Sequence, residues 1–568
     1  MTTTIDNKNK DVVPIKRKKH LPQLKSYTVL TYFLIITLSA VMRFIKIGFN
    51  DDNTPVFDEK HYSVQAMQLL LNNGVENNPG YGLIVHPPLG KFLISIGEKF
   101  FGYTPLGWRF MSIVAGVLII LLLCIMVHKI TNSLLLVIFT GIISNTEGVL
   151  FGMSRMGMLD IFQALFITLI AFCLLFYITT DYKNTPWSQR WWLYGVGISS
   201  GLAMSIKISG VYYPAIIGVV LVFTTIFTTK SVKETLKSFF HGLFCLLVIP
   251  LTIFFITWIP WFRNETSWSF RAIEQGTEYY RLPGFLQSIV PDRLENWLSY
   301  QVDVMNFHTG LTTSEGNLHP WESKPWNWLY GDRPMLFLND YPDTNNTNSL
   351  SIIVFIIGII IYLCLIIGII YGIIMNDKYK LLTKNKTITY ITSLVSIIIL
   401  SVIYGKLLSN VISNINDLNN SDDEIIGKVW LLGNISVWWL TVPLIIYGIY
   451  KIFRKDKAWL IATGGYLTGY IPWLITYDRQ MYFFYTAALA PFIILMIILT
   501  IRDISNVIAR KYNIYNYEAY LLVGGSYCFI TILFFMIYIP WYYGLPLHES
   551  QHDILTILDS WQPLEENN

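Results

Sequence analysis

The chain has 568 residues, of which 53% are apolar, 15% aromatic and only 14% charged, and its mean hydropathy is +0.47. A soluble domain carries about 25% charged residues, so an ordinary globular protein is excluded, and this much apolar material excludes a disordered chain. The net charge of +4 is too weak a bias for a nucleic-acid binder, and the composition is that of a polytopic membrane protein.

A helix needs about 20 mostly apolar residues to cross about 30 Å of hydrocarbon. Such runs lie near 27–45, 108–127, 134–150, 159–178, 193–208, 210–228, 239–262, 350–375, 388–408, 429–449, 459–476, 484–501 and 518–540. The third and fifth are short, so about 11–13 transmembrane helices are expected. With the N-terminus inside, 24 of the 41 Lys and Arg residues fall in 93 inside positions, as the positive-inside rule requires. The five cysteines all lie in apolar runs and show no metal-ligand spacing. The chain divides into a basic cytoplasmic tail, 1–26, and an N-terminal membrane module, 27–262, with a first outer loop at 46–107. A large outer loop at 263–349 and a C-terminal membrane module at 350–568 follow. Residues 409–428 read as a solvated outer loop. The short inside loops hold no Gly-rich phosphate cradle, which argues against nucleotide chemistry there.

The polar chemistry gathers at the outer face. In the first outer loop, Asp58 and Glu59 follow an extended Pro55-Val56-Phe57 stretch and open an amphipathic helix that runs to Leu71. Adjacent carboxylates point in different directions, so one can face a cleft while the other holds a partner. Asp is also a good helix N-cap, and the local pattern leaves both roles open for Asp58. His86-Pro87-Pro88 stiffens the chain. Residues 89–101 then form an amphipathic helix suited to the interface. Arg109 starts the second span, where a charge is costly and marks a functional candidate, the alternative being an arginine that snorkels to the headgroups.

Further charge reaches the same depth: Glu147, Arg155 and Asp160 around one turn, Lys207 at the end of the fifth span, and Asp478 and Arg479 between the eleventh and twelfth. Arg109, Arg155, Lys207 and Arg479 suit a phosphate, and Asp58 suits a base. His308, His319 and Glu322 match no compact metal motif, so no metal site is assigned.

These pieces together resemble the protein O-mannosyltransferases in their bacterial form. The matching segments are VFDEKHY at 56–62, NPGYGLIVHPPLGK at 78–91, LGWRF at 106–110, SRMGMLD at 154–160, HTGL with HPWESKPWNWL at 308–329, and IPWLITYDRQMYFFYTAALAPF at 471–492. The resemblance implies an all-α polytopic fold of the GT-C type with amphipathic helices at the outer face. It implies transfer of mannose from a polyprenyl-phosphate carrier to Ser or Thr hydroxyls of secreted or membrane polypeptides, outside the cytoplasmic membrane. That location also admits acceptors met during translocation. Asp58 would be the catalytic carboxylate, with Glu59 binding or orienting the acceptor. Arg109 matches an arginine important in the family, Arg155 and Asp160 match its Arg…Leu-Asp turn, and Lys207 matches its Ser-Val-Lys or Thr-Lys position; Arg479 joins the phosphate-binding set, and His86, Asp160, His308 and Glu322 are expected to support the site. No soluble cofactor is required, and nothing demands a divalent metal. The outer loop of 87 residues is too short for the β-trefoil (MIR) domain of eukaryotic relatives. A related lipid-linked-sugar transferase with a lipid or glycan acceptor, and a secondary transporter, are the competing readings; charge collected at one face favours an enzyme.

Overall fold

A computed structural model describes residues 26–48, 54–76, 85–182, 186–228, 231–264, 283–316, 318–338, 395, 398, 425–548, 552–553 and 555–561. The expected span at 350–375 lies outside the described residues, as do all but residues 395 and 398 of the span at 388–408 and most of the loop 409–428. Eight helices among the described residues are long and apolar enough to cross a membrane, with Leu134–Thr146 as a shorter apolar helix.

The described residues begin with α1 (Ser26–Phe44), α2 (Glu59–Leu71), α3 (Leu89–Phe101) and α4 (Pro105–Thr131). They continue with α5 (Leu134–Thr146), α6 (Gly148–Met153), α7 (Asp160–Thr179), α8 (Trp191–Ile206) and α9 (Tyr212–Thr228). Local chemistry sets several ends. The Thr104 hydroxyl accepts from Gly107 N–H and Pro105 occupies the first turn of α4, where its missing N–H costs nothing. Asn132, at φ 51°, closes the same helix. Helix α7 packs along α8 and α4, burying Ile161, Phe162, Ile167 and Ile170 in the main core. Small residues allow the closest approaches. A Cβ on Gly97 would lie 2.2 Å from the Gly107 carbonyl, so α3 and α4 cross at backbone contact.

Three expected spans are corrected. The run 134–150 is broken at Glu147, whose carboxylate accepts from Val149 and Leu150 N–H and starts α6. The run 429–449 opens as a strand: β3 (Val429–Leu431) pairs antiparallel with β1 (Met335–Leu338), and helix resumes only from Ile435. A second ribbon pairs β2 (Ile425–Gly427) with β4 (Pro546–His548), so residues 425–427 are not plain loop. Likewise the run at 484–501 begins as a 3₁₀ turn, Phe483–Ala488, before the helix Ala490–Tyr512.

Helix direction decides where the chemistry collects. The N-termini of α4 and α7, the C-termini of α5 and α8, and the C-terminus of Lys457–Ile475 all lie at one end of the up-and-down bundle. The opposite end carries Lys129, Lys451, Arg454, Lys455, Lys457, Arg510 and Lys511.

Candidate active site

Asp58 stands at the N-terminus of α2 with φ −68° and ψ −12°, and its side chain makes no capping hydrogen bond. The capping role left open by the sequence is therefore not the one its carboxylate fills. The Tyr62 hydroxyl, one turn along α2, donates to Asp58 Oδ2 at 3.4 Å. Asp58 is half-buried, yet it lies deep among protein atoms. That burial pushes its pKa up to about 6; Lys207 opposes the shift, and the Asp160 charge adds to it.

Glu59 is wholly buried and fully used. Arg109 Nε donates to its Oε1 at 2.8 Å and Nη2 to its Oε2 at 2.6 Å, and neither side chain has measurable exposure. Gly157 N–H donates to Oε1 and Val56 N–H to Oε2. In this structure the Glu59 carboxylate faces Arg109 and backbone N–H groups, and Arg109 bonds Glu59 and the Ile47 carbonyl. A bidentate pair of this kind fixes both planar groups.

Arg155 is buried, with bonds to the carbonyls of Tyr542, Ile45 and Lys46, and its guanidinium lies 4.4 Å from the Tyr543 ring centroid. It ties the end of α1 to the C-terminal segment.

Lys207, at the end of α8, donates to both oxygens of Asp160 at 2.8 Å. Its ammonium also lies over Tyr485 and Phe484, 5.1 and 5.5 Å from their centroids. Lys207 and Asp160 thus face Asp58 as a pair that is close to neutral overall.

Arg479 is a half-buried cation held in a seam between two segments. Residues 311–323 are stitched to 478–481 by Thr313 N–H to Asp478 O, Gln480 N–H to Leu311 O and Ser323 N–H to Met481 O. A bridge between Thr312 and Arg479 completes the seam. Arg479 Nη2 donates to His308 Nδ1 at 2.9 Å, and His308 Nε2–H donates to the Val85 carbonyl at 3.1 Å. Both ring nitrogens are then satisfied in a neutral imidazole. Burial, with Arg479 next to it, lowers the His308 pKa to about 4. His86 stacks on His308 at 5.4 Å, its own pKa held well below the usual range by burial. No carboxylate among the described residues pairs with Arg479, and its Nε has no partner there.

Glu322 is buried away from the cleft. It accepts from Thr313 Oγ1 at 2.6 Å and pairs with Lys324. Lys324 in turn donates to the Arg479 carbonyl, so Glu322 supports the seam that carries Arg479. Among the described residues no cluster of three or more His, Cys, Asp or Glu is placed to hold a metal. Sequence reasoning missed Tyr62 and Phe57, which belong to the site; four residues, one helical turn, separate Tyr62 from Asp58, and that spacing was the available signal.

A carboxylate, a lysine–aspartate pair and an arginine thus gather near one end of the helices. The chain matches the family model "Dolichyl-phosphate-mannose-protein mannosyltransferase" over residues 106–263 and the "C-terminal four TMM region of protein-O-mannosyltransferase" over 293–561. It is 31% identical over 564 residues to the polyprenol-phosphate-mannose–protein mannosyltransferase of Corynebacterium glutamicum, covering 94% of this chain and 93% of the relative. It is 30% identical to the Mycobacterium tuberculosis protein of the same name, covering 97% and 95%. Its fold matches a chain of the Saccharomyces cerevisiae protein O-mannosyltransferase Pmt1–Pmt2 complex bound to the sugar donor, with TM-score 0.65, 14% identity and coverage of 94% and 93%. The chain belongs to the protein O-mannosyltransferase family and is a multi-pass membrane enzyme.

Proposed function

We propose that this enzyme transfers mannose from polyprenyl-phosphate mannose to Ser or Thr hydroxyls of secreted or membrane polypeptides at the outer face of the cytoplasmic membrane. The observation that carries the reading is Asp58: a half-buried carboxylate, not used in capping, within electrostatic reach of Lys207 and Asp160. The names of the Corynebacterium and Mycobacterium relatives supply the mannose donor and the protein acceptor.

The chemistry is a displacement at the anomeric carbon. The acceptor hydroxyl attacks as the carrier phosphate leaves, and Asp58 takes the hydroxyl proton. A base is most effective when its pKa lies near the working pH, and burial moves Asp58 that way. The leaving phosphate needs positive charge. Arg479, without a carboxylate partner among the described residues, is the first candidate; Lys207 is the second, its charge partly met by Asp160. In this reading Glu59 and Arg109 hold Asp58 in place, and Arg155 holds the surrounding helices. The polyprenyl chain lies against the bundle in the lipid, and acceptors include chains emerging during translocation. The modules 27–262 and 350–568 then contribute Asp58 and Arg479, respectively, to one site.

Orientation follows from the basic turns at the end of the bundle opposite Asp58, which the positive-inside rule places in the cytoplasm. In intact cells, a membrane-impermeant thiol reagent should label Leu318→Cys and spare Phe453→Cys; the reverse pattern would invert the topology. The activity is tested with purified protein, labelled polyprenyl-phosphate mannose and a Ser/Thr-rich peptide. Label reaching a lipid or glycan, and none reaching the peptide, would refute the acceptor assignment.

A further inference from the structure

Phe57, immediately before the catalytic carboxylate, has φ +49°. Among the described residues the other non-glycine positions with positive φ are Lys46, Asn73, Asn132, Lys455 and Asn513. Asparagine tolerates this region, but a bulky aromatic there is a true outlier. Such a conformation persists only where the surroundings over-determine it.

The surroundings are on hand. The Phe57 ring packs edge-on against Phe337, Phe484, Tyr482 and His319, with centroids at 5.6, 5.9, 6.1 and 6.5 Å. These rings come from two segments far along the chain, and Tyr482 and Phe484 stack on each other at 5.3 Å. Beyond Asp58, Glu59 is held by Arg109 and by the N–H groups of Gly157 and Val56. The tripeptide Phe57-Asp58-Glu59 is thus clamped at both ends. Among the described residues, the Asp58 carboxylate has only the long bond from Tyr62. Its aim therefore comes from its neighbours' backbone, not from its own side-chain contacts.

We propose that Phe57 is a positioning residue: its ring, caged by the outer-loop and C-terminal aromatics, enforces the left-handed turn that directs Asp58 into the cleft. This rests on Asp58 being the base. It also makes the segments bearing His319, Phe337 and Tyr482 part of what sets the catalytic geometry, although none of them touches Asp58 through a hydrogen bond in the structure.

A comparison of Phe57→Ala and Phe57→Gly in the full-length membrane enzyme separates aiming from packing. Glycine removes even more side chain than alanine but adopts positive φ freely, whereas alanine resists it. If the turn is what matters, Phe57→Gly should retain several-fold more kcat than Phe57→Ala, per folded molecule. Phe57→Ala should lose on the order of 10²-fold, as a misplaced catalytic group does, with KM for the lipid donor little changed. Phe57→Tyr, which keeps the ring, should stay near the parent value. The acidic limb of the kcat profile should move down in Phe57→Ala, as the carboxylate escapes its buried position. Phe57→Gly no better than Phe57→Ala, with an unmoved acidic limb, would overturn the positioning role. Normal activity in Asp58→Asn would instead remove the base itself, whatever the Phe57 variants do.

Discussion

Lys207 holds both oxygens of Asp160 at 2.8 Å, and each member of that pair acts on Asp58 with opposite sign. The lysine stabilises the ionised base and the aspartate disfavours it. Because the two charges are bonded to each other, the base feels mainly their difference, and burial dominates.

A pH profile follows from this. Asp58 must be ionised to accept a proton, so activity should fall as pH drops through about 6, not through the ordinary aspartate range near 4. Asp160→Asn removes a charge that raises the Asp58 pKa, so the acidic limb should move to lower pH. Lys207→Met removes a charge that lowers it, so the limb should move to higher pH. Measuring kcat/KM against pH for the three proteins checks the signs; equal limbs in all three would mean another group titrates.

Arg109→Ala should act on stability before it acts on the donor. It leaves Glu59 charged, buried and without its guanidinium partner, which typically costs about 3–5 kcal/mol. Thermal unfolding in detergent should show a large loss, with KM for the lipid donor unchanged in the molecules that fold. Glu59→Gln should be destabilising in the same way, and the double variant less so than the sum, because the two residues form one unit. A raised donor KM with normal stability would return Arg109 to the phosphate.

Much of this site was legible in the sequence because charge is conspicuous in an apolar chain. Arg109, Asp160, Lys207 and Arg479 stand out at or near the ends of spans and Asp58 in the first loop between them, and span direction alone brings them to one end. What could not be read was pairing. Glu59 and Arg109 are 50 positions apart, and nothing local distinguishes an arginine that binds a carboxylate from one that awaits a phosphate. Arg155, bonded to three carbonyls, is the same case. Phe57 and Tyr62 were hidden for the opposite reason, as aromatics in a chain that is 15% aromatic. The break at Glu147 was masked because the apolar run continues on both sides, so the cap that starts α6 shows only in three dimensions.

Arg479 is expected to carry the donor phosphate. A charge-assisted hydrogen bond contributes about 1.5–3 kcal/mol, so Arg479→Ala should raise the donor KM by roughly tenfold or more. Arg479→Lys keeps the charge but loses the planar fork and its bond to His308, and should recover only part of the loss. Peptide KM should stay near the parent value in both. A donor titration that is indifferent to Arg479→Ala would pass the role to Lys207.

The most direct prediction concerns Asp58→Asn. The substitution keeps the side chain's size, and the structure shows no capping bond for it to lose. Its weak contact with Tyr62 survives, since an amide oxygen also accepts a hydrogen bond. Stability should therefore change by no more than about 0.5 kcal/mol, or rise slightly, because a buried charge has been removed. What the amide cannot do is take the proton of the acceptor hydroxyl. Loss of a general base costs about 10²–10⁴-fold, so transfer to peptide should fall by that factor while lipid-donor binding persists. The two readouts, unfolding temperature and single-turnover transfer, separate catalysis from folding. An unfolding temperature at the parent value with transfer down by that factor assigns the base to Asp58. Near-parent transfer in a well-folded Asp58→Asn enzyme would mean that the hydroxyl loses its proton elsewhere.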